Sequence, residues 1–170
     1  VAVAAHRELG DRANEIATDY VNRRTAFGKL LVDHEGVGFQ LADNLIDLKQ
    51  AELMTYWCAD VLDTGARGTT ESSMTKVAVS EALMRIADRC VQMMGGQGIT
   101  ADTVVERVFR EVRAFRIYDG PTEVHKTTVA KQVLRDYSAT DDLWPTQWLP
   151  RKQDEARAKY AEYLELEVGN

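Results

Sequence analysis

A short acidic turn before a helical segment is the feature of this sequence with the clearest chemical potential. Residues 117–125 are IYDGPTEVH, so Asp119 stands on a turn directly before residues that favour a helix. A carboxylate in this place can satisfy the free N–H groups and the dipole of the helix. It can also act as a general base on a rigid corner. A base that removes a carbon-bound proton requires a dry pocket and an electron sink, and this chain supplies no sink of its own.

A glycine-rich segment, GGQG at 95–98, follows a helical pattern. Because no strand precedes it, the segment does not match the dinucleotide-binding turn of a Rossmann fold. As an isolated motif it is explained by a structural helix end, where glycine adopts backbone conformations that other residues avoid. Such an end also lets a ligand or another chain approach the backbone closely.

Histidine and cysteine residues do not form a recognisable metal site. His6, His34 and His125 lie far apart, and none belongs to an HExxH or CxxC arrangement, so we predict no metal. Cys58 and Cys90 each lie in a helical pattern, which predicts buried free thiols in a reducing compartment. No GxSxG elbow or Walker loop occurs in the sequence.

The composition is that of a globular domain. Of 170 residues, 45% are hydrophobic and 28% are charged, and the formal net charge is −6. The negative charge argues against binding to nucleic acid or to anionic membranes. No apolar run reaches the length of a membrane helix and no secretion signal is present, so we expect a soluble chain without membrane insertion. The sequence starts at Val1, which is consistent with a piece of a longer protein.

The segments that carry the candidate residues show helical periodicity, and this pattern predicts an all-α fold. The predicted helices cover residues 1–24, about 37–63, a segment capped at Ser72 or Ser73 that ends near Met94, about 102–114, about 121–137 and 154–167. Residues 25–38 are predicted to form a loop, and residues 138–150 an extended strap or a linker.

Apolar stripes predict which helix faces are buried. In the segment 37–63, one stripe includes Leu45 and Leu48 and another includes Leu53 and Trp57, which predicts burial on two sides. The stripe of the following helix consists of Val79, Leu83, Ile86, Cys90 and Met94. We expect both helices to contribute to one core.

Three motifs together resemble the C-terminal helical domain of acyl-CoA dehydrogenases. They are RTAFGK at 24–29, QMMGGQGI at 92–99 and RIYDGPTEVHK at 116–126, and DTVVERVFREVR at 102–113 joins the last two. The motifs stand in the family's order and at its spacing. The resemblance implies an up-down four-helix bundle over residues 1–137. It does not cover residues 138–170, whose own pattern predicts an extension with a strap and a short amphipathic helix.

The resemblance also implies FAD as the cofactor. In the family, FAD lies between a middle β-domain and the C-terminal bundle, and its ADP part reaches a neighbouring subunit. Arg24 matches the arginine at the flavin pyrophosphate, a role that suits a guanidinium fork, and Phe27 lies beside the adenine. Gln92, Gly95 and Gly96 match the part that contacts the partner subunit's flavin.

Asp119 matches the position at which many members of the family carry a catalytic glutamate. In that role it removes the α-proton of an acyl-CoA thioester while the β-hydrogen leaves as hydride to FAD, and a trans-2-enoyl-CoA forms. The resemblance assigns Tyr118 and Gly120 to substrate binding, with Tyr118 lining the acyl pocket. It assigns Glu123 to cofactor binding near the FAD ribose.

The sequence departs from the common family pattern at several of these positions. Aspartate is one methylene shorter than glutamate, which retracts the carboxylate by about 1.5 Å. The pattern DGPxEVH nevertheless resembles a recurrent subfamily variant, so we interpret Asp119 as a working base. Ala26 replaces a flavin-contacting threonine, and Pro121 and Glu123 replace hydroxyl and glutamine side chains that often lie near the ribose.

Three functions are compatible with this sequence. The first is acyl-CoA dehydrogenation, with an electron-transfer flavoprotein or another flavin acceptor as redox partner and a homodimer or homotetramer as the assembly. The second is the reaction of nitroalkane oxidase, a relative that also uses an aspartate base. The third is a non-catalytic helical oligomerisation module. The isolated chain is expected to retain FAD weakly and to be inactive without FAD-binding partner domains, in the bacterial cytoplasm or the mitochondrial matrix.

Overall fold

Six α-helices make up most of the described chain. A computed structural model describes residues 2–138 and 149–161. The helices are α1 (Ala2–Arg23), α2 (Glu35–Asp63), α3 (Thr69–Met94), α4 (Val105–Phe115), α5 (Thr122–Asp136) and α6 (Leu149–Lys159). This architecture confirms the predicted all-α fold.

Helix α3 lies at the centre of the bundle and packs against α1, α2 and α4. The stripe predicted for α3 is confirmed, because all five of its members are buried. The other helices complete the core with Ala13, Ala17, Leu48, Ala51, Val105, Val108, Val112 and Phe115. Burial of one Val, Leu, Ile or Phe side chain contributes about 1.5–3 kcal/mol. This core is therefore the main source of stability of the bundle.

Both cysteines are free and buried, as predicted. Burial raises the pKa of the Cys90 thiol to about 12, although Asn44 and Arg89 act in the opposite direction. Cys90 therefore remains a neutral thiol at physiological pH and packs as a small apolar side chain.

The prediction that α2 is buried on two sides is wrong for the described residues. Leu48 is buried against the core, but Leu45 is 64% exposed and Leu53 is 59% exposed. Trp57, on the second predicted stripe, is exposed as well. The described part of the chain covers only one face of α2, so its other apolar face remains at the surface.

The segment predicted as a loop contains a small hairpin. Strand β1 (Thr25–Ala26) pairs with the antiparallel strand β2 (Lys29–Leu30), with Thr25 opposite Leu30. Phe27 and Gly28, between the strands, have φ angles of 53° and 83°. Two successive positive φ angles are typical of the type I′ turn, whose twist matches that of the paired strands.

Three helix starts within the bundle differ from the prediction, and one of them is that of α4, which begins at Val105 rather than near residue 102. Helix α2 begins at Glu35, and a short 3₁₀ turn, Leu31–Asp33, precedes it. Helix α3 begins at Thr69, where Gly68 precedes it with a φ of 58°. The Ser72 and Ser73 side chains therefore do not cap α3, because both residues lie inside its first turns.

The chain divides into two units, Val1–Gln132 and Val133–Asn170. The predicted domain boundary after residue 137 stays a prediction. In the second unit, α6 begins at Leu149, five residues before the predicted start, and Pro150 occupies its first turn, where a missing N–H costs no hydrogen bond. Most of the predicted strap and the end of the predicted last helix lie outside the described residues.

A network of polar side chains connects α1, α2 and α3 inside the bundle. Asn44 Nδ2 donates to Asn14 Oδ1 at 2.8 Å, and Arg89 Nε donates to Asn44 Oδ1 at 2.9 Å. The buried carboxylate of Asp47 accepts hydrogen bonds from both Arg85 and Arg89. Burial alone would raise the pKa of Asp47, but the hydrogen bonds and charges of the two arginines outweigh it and hold the pKa below its usual value of 3.8.

Candidate functional site

Asp119 lies on the turn that joins α4 to α5. It has a φ of 54°, and the following Gly120 has a φ of 90°. Glycine adopts this region freely, and aspartate enters the left-handed region more readily than most residues do. The Asp119 side chain is exposed and accepts no hydrogen bond from the described residues. The turn therefore presents a carboxylate at the surface, and the described residues do not enclose it in the dry pocket that a base requires.

Lys76 of α3 forms hydrogen bonds to the backbone at both ends of this turn. Its ammonium donates to the carbonyl oxygen of Phe115 at 2.6 Å and to that of Gly120 at 2.9 Å. The same Nζ lies 5.0 Å from the centre of the Phe115 ring. Burial lowers the pKa of Lys76 below its usual value, while the charges of Asp119, Glu81 and Glu123 act to raise it.

Glu81, also on α3, holds residues on both sides of the turn. Its Oε1 accepts hydrogen bonds from Arg116 Nε at 2.9 Å and from the Thr122 hydroxyl at 3.0 Å. The backbone repeats this link, because Thr122 N–H donates to the Arg116 carbonyl at 3.2 Å. The carboxylate thus fixes the end of α4 relative to the start of α5.

His125 supports the carbonyl group of Asp119 itself. Its Nε2–H donates to the Asp119 carbonyl oxygen at 3.0 Å, and Nδ1 lies 3.2 Å from the hydroxyl of the buried Ser73. In the neutral ring with the proton on Nε2, Nδ1 accepts from Ser73. A Cβ atom on Gly120 would lie 2.7 Å from His125 Nε2, so this contact requires glycine.

Tyr118 stands beside Asp119 on the same turn. Its ring packs on the buried ring of Phe115, with 5.6 Å between the ring centres. Partial burial raises the pKa of Tyr118, and the charges of Asp119 and Glu111 contribute to the rise. Its hydroxyl therefore remains protonated at neutral pH.

Arg24 lies at the other candidate region, directly after α1. It lines a cleft of about 300 Å³ together with Asp19, Tyr20, Arg23, Met94 and other residues. The neighbouring Arg23 pairs with Asp19 at 2.7 Å. The Arg24 side chain is exposed, and its guanidinium has no ion-pair partner among the described residues. The cleft therefore holds a cation that is available to an anionic ligand.

The other predicted cofactor residues are also exposed. Phe27 projects from the hairpin with 94% of its surface accessible. Gln92, Gly95 and Gly96 lie at the end of α3, and among residues 2–138 and 149–161 no other part of the chain lies within 4 Å of a Cβ placed on either glycine. Glu123 is exposed in the first turn of α5. A ligand can thus approach each of these residues without displacing a side chain.

The structure divides the predicted site residues into two groups. Arg24 shares its cleft with Met94, the residue before Gly95, whereas the Asp119 turn is bound to Lys76 in the first half of α3. Lys76 and Met94 are eighteen residues apart in one helix, which corresponds to about 27 Å at 1.5 Å per residue. The predicted base and the predicted pyrophosphate arginine are therefore associated with opposite ends of α3.

The sequence motifs do not include the residues that fix the turn. Lys76, Glu81 and Ser73 lie on α3, between 35 and 52 residues from their partners. A lysine one turn before the buried Val79, on a face that is otherwise apolar or small, is the only local signal. A buried lysine requires oxygen partners, which predicts some contact but does not identify it.

The described residues contain no group of three or more His, Cys, Asp and Glu side chains placed to hold a metal ion. Within the same part of the chain, no helix has both the length and the apolar character required to cross a membrane.

Comparison with known proteins identifies the family. A family model described as the C-terminal domain of acyl-CoA dehydrogenase matches residues 2–134. The chain belongs to the acyl-CoA dehydrogenase family. The match extends over α1 to α5 except for the last residues of α5, and it includes both groups of candidate residues. It confirms the family resemblance of the three sequence motifs.

Curated acyl-CoA dehydrogenase relatives align with most of the chain. It is 35% identical to (R)-benzylsuccinyl-CoA dehydrogenase of Thauera aromatica over 138 residues, which cover 80% of the chain and 34% of that protein. It is also 35% identical to the mitochondrial short-chain specific acyl-CoA dehydrogenase of Mus musculus, over 72% of the chain and 30% of that protein. The chain thus spans about a third of the length of these relatives.

A solved acyl-CoA dehydrogenase structure has the same bundle. Butyryl-CoA dehydrogenase from Megasphaera elsdenii superposes with a TM-score of 0.75 at 28% identity, over 78% of the chain and 35% of that structure. The bundle of this chain therefore corresponds in fold to about a third of an acyl-CoA dehydrogenase subunit.

Proposed function

We propose that this chain acts as the C-terminal bundle of an FAD-dependent acyl-CoA dehydrogenase and that Asp119 is the base. The observation that carries the proposal is the exposed carboxylate on a turn that α3 side chains hold on both sides. A carboxylate on a fixed turn can act on a substrate that lies in a pocket completed by other domains. Because the chain spans about a third of its relatives, the complete reaction is proposed for the assembly that contains it.

The residues assigned to FAD fit the chemistry of that group. The guanidinium of Arg24, which forms no ion pair within the described part of the chain, can make two parallel hydrogen bonds to a diphosphate. The open backbone at Gly95 and Gly96 leaves space for a ligand, and the exposed ring of Phe27 can lie against an adenine. The carboxylate of Glu123 can accept a hydrogen bond from a ribose hydroxyl.

The proposed reaction is an α,β-dehydrogenation that yields a trans-2-enoyl-CoA. When bound, FAD would supply the two-electron acceptor for the β-hydrogen, which leaves as hydride. Asp119 takes the α-proton, and the electron pair of the α C–H bond becomes the new C=C bond. The backbone N–H of Asp119 donates to the thioester carbonyl, where negative charge develops. Because aspartate is shorter than glutamate by about 1.5 Å, the substrate lies closer to the turn than it would with glutamate.

The distance between the Asp119 turn and the Arg24 cleft supports a proposed assembly of more than one copy of the chain. With about 27 Å of helix between them, we infer that the Asp119 turn serves one FAD and that Arg24 serves the FAD of a neighbouring copy. A homodimer or homotetramer satisfies this arrangement. The proposal includes an electron-transfer flavoprotein or another flavin acceptor as the oxidant, in the bacterial cytoplasm or the mitochondrial matrix.

Anaerobic flavin bleaching tests the proposed reaction. The FAD-loaded assembly that contains this chain is mixed with acyl-CoA thioesters of several chain lengths, and we expect at least one of them to bleach the flavin and to yield its enoyl-CoA. Nitroalkanes form the second arm, because nitroalkane oxidase also uses an aspartate base. Bleaching by nitroalkanes alone would favour that activity, and no bleaching by either class would leave a helical oligomerisation module.

Arg24→Ala is expected to weaken FAD binding by about 10- to 100-fold, since a hydrogen bond to a charged group contributes about 1.5–3 kcal/mol. The helical content should not change, because the Arg24 side chain is exposed. Arg23→Ala is the matched control: Arg23 lines the same cleft, but its guanidinium is paired with Asp19. Equal FAD dissociation constants for Arg24→Ala and the wild type would contradict the assignment.

A further inference from the structure

Lys76 is a buried charged side chain that the proposed reaction does not yet use. Only 6% of its surface is exposed, on a helix face whose other buried members are apolar or small. A charged ammonium is costly to bury without partners. Its partners in this structure are not carboxylates of the core but two backbone carbonyl groups, those of Phe115 and Gly120.

These two carbonyl groups stand on either side of Asp119. Phe115 is the last residue of α4, where helix carbonyls lack intrahelical donors, and Gly120 directly follows Asp119. One ammonium therefore donates to a carbonyl at the end of α4 and also to the backbone next to the carboxylate. Asp119 and Gly120 both have positive φ angles, so the carbonyl that Lys76 binds belongs to a stretch of backbone in a less common conformation.

We propose that Lys76 is a positioning residue for proton abstraction by Asp119. This inference rests on the proposed function. The ammonium holds the Phe115 and Gly120 carbonyls at a fixed distance from each other, and this constraint sets the place from which the Asp119 carboxylate meets the substrate. A displacement of a reacting group by about 1 Å can slow an enzymatic step by about 100-fold.

Lysine has the shape and charge that this role requires. Its ammonium is a compact centre with three donors, so it can bond two carbonyl oxygens that do not lie in one plane, whereas an arginine fork suits planar acceptors. The Phe115 ring lies on one side of the ammonium at 5.0 Å. Asp119, Glu81 and Glu123 are the carboxylates that act on its charge. The positive charge of Lys76 therefore also attracts the carboxylate that it positions.

Two variants in the FAD-loaded assembly that contains this chain test the proposal. Lys76→Gln keeps N–H donors but loses the charge, and Lys76→Met loses both. Hydrogen exchange of the peptide that covers residues 116–121 should accelerate, more for Met than for Gln. The rate of flavin bleaching at saturating acyl-CoA should fall by about 10- to 100-fold, in the same order, while the FAD dissociation constant and the half-saturating acyl-CoA concentration change little.

Val79→Ala is the matched control, because Val79 lies one turn further along the buried face of α3 and contributes only packing. It should destabilise the assembly without accelerating exchange in residues 116–121. If it slows bleaching as much as Lys76→Met does, or if both Lys76 variants leave exchange and bleaching unchanged, the positioning role is wrong. If Lys76→Met does not fold, Lys76→Gln alone decides between these outcomes.

Asp119→Asn in the same assay separates this inference from the proposed function. If that variant bleaches at the wild-type rate, the proposed base is wrong, whatever the Lys76 variants do. If it bleaches about 10²- to 10⁴-fold more slowly and the Lys76 variants bleach at the wild-type rate, only the positioning role is overturned. The hydrogen-exchange measurement does not depend on either result.

Discussion

Asp119→Asn is expected to slow anaerobic bleaching of the flavin by acyl-CoA by about 10²- to 10⁴-fold, the range that a positioned general base contributes. The amide is nearly the same size as the carboxylate but cannot accept the α-proton. Because the Asp119 side chain is exposed and accepts no hydrogen bond from the described residues, the substitution breaks no side-chain hydrogen bond within this part of the chain. The measurement is stopped-flow absorbance of the FAD-loaded assembly, with the flavin content determined beforehand.

Asp60→Asn is the control for this variant. Asp60 is an exposed aspartate of α2, a helix that holds none of the candidate residues, so the substitution changes the net charge equally. Flavin content should be the same in both variants and in the wild type. An Asp119→Asn protein that bleaches at the wild-type rate would remove Asp119 from the mechanism and leave the turn as a structural feature.

The sequence predicts which face of a helix is buried when other helices of the same chain cover that face. The α3 stripe is predictable because Leu83 and Ile86 pack on helices of the same bundle. Leu53 and Trp57 of α2 show the same periodicity, yet they are exposed. Periodicity indicates that a face is apolar, but it does not indicate whether the covering surface belongs to the same chain.

The small hairpin of residues 25–30 could not be predicted from the sequence, for a different reason. Two-residue strands are too short for an alternating pattern, and Phe27–Gly28 is not one of the dipeptides typical of a type I′ turn. The hairpin therefore has no clear local signal. It nonetheless determines the position of Phe27, whose ring projects into solvent directly after Arg24 and its cleft.

The sequence predicts the candidate base and the candidate ligand-binding residues. It does not predict the residues that hold them in position. Asp119 and Arg24 lie in short motifs that resemble a family, so their roles can be proposed from the sequence. Lys76 and Glu81 act through bonds to residues at least 35 positions away, and no local pattern specifies such partners. The support of the turn therefore becomes visible only when α3 and the α4–α5 turn are placed together.

Asp47→Ala is expected to lower the free energy of unfolding of the chain by about 3–5 kcal/mol at neutral pH, because it leaves a largely buried arginine without its ion-pair partner. Arg89 donates to Asp47 and is mostly buried, whereas Arg85 is half exposed and can be rehydrated. The measurement is urea unfolding followed by circular dichroism. Asp43→Ala is the control, since Asp43 is an exposed aspartate one turn earlier on α2.

The pH dependence of the stability lost in Asp47→Ala distinguishes a lost ion pair from lost packing. Because folding lowers the pKa of Asp47 below 3.8, its stabilising effect is complete above that pH and disappears as the pH falls through the lower, folded-state pKa. The stability difference between wild type and Asp47→Ala should therefore narrow below about pH 4. A difference that stays constant in acid would indicate lost packing rather than a lost ion pair.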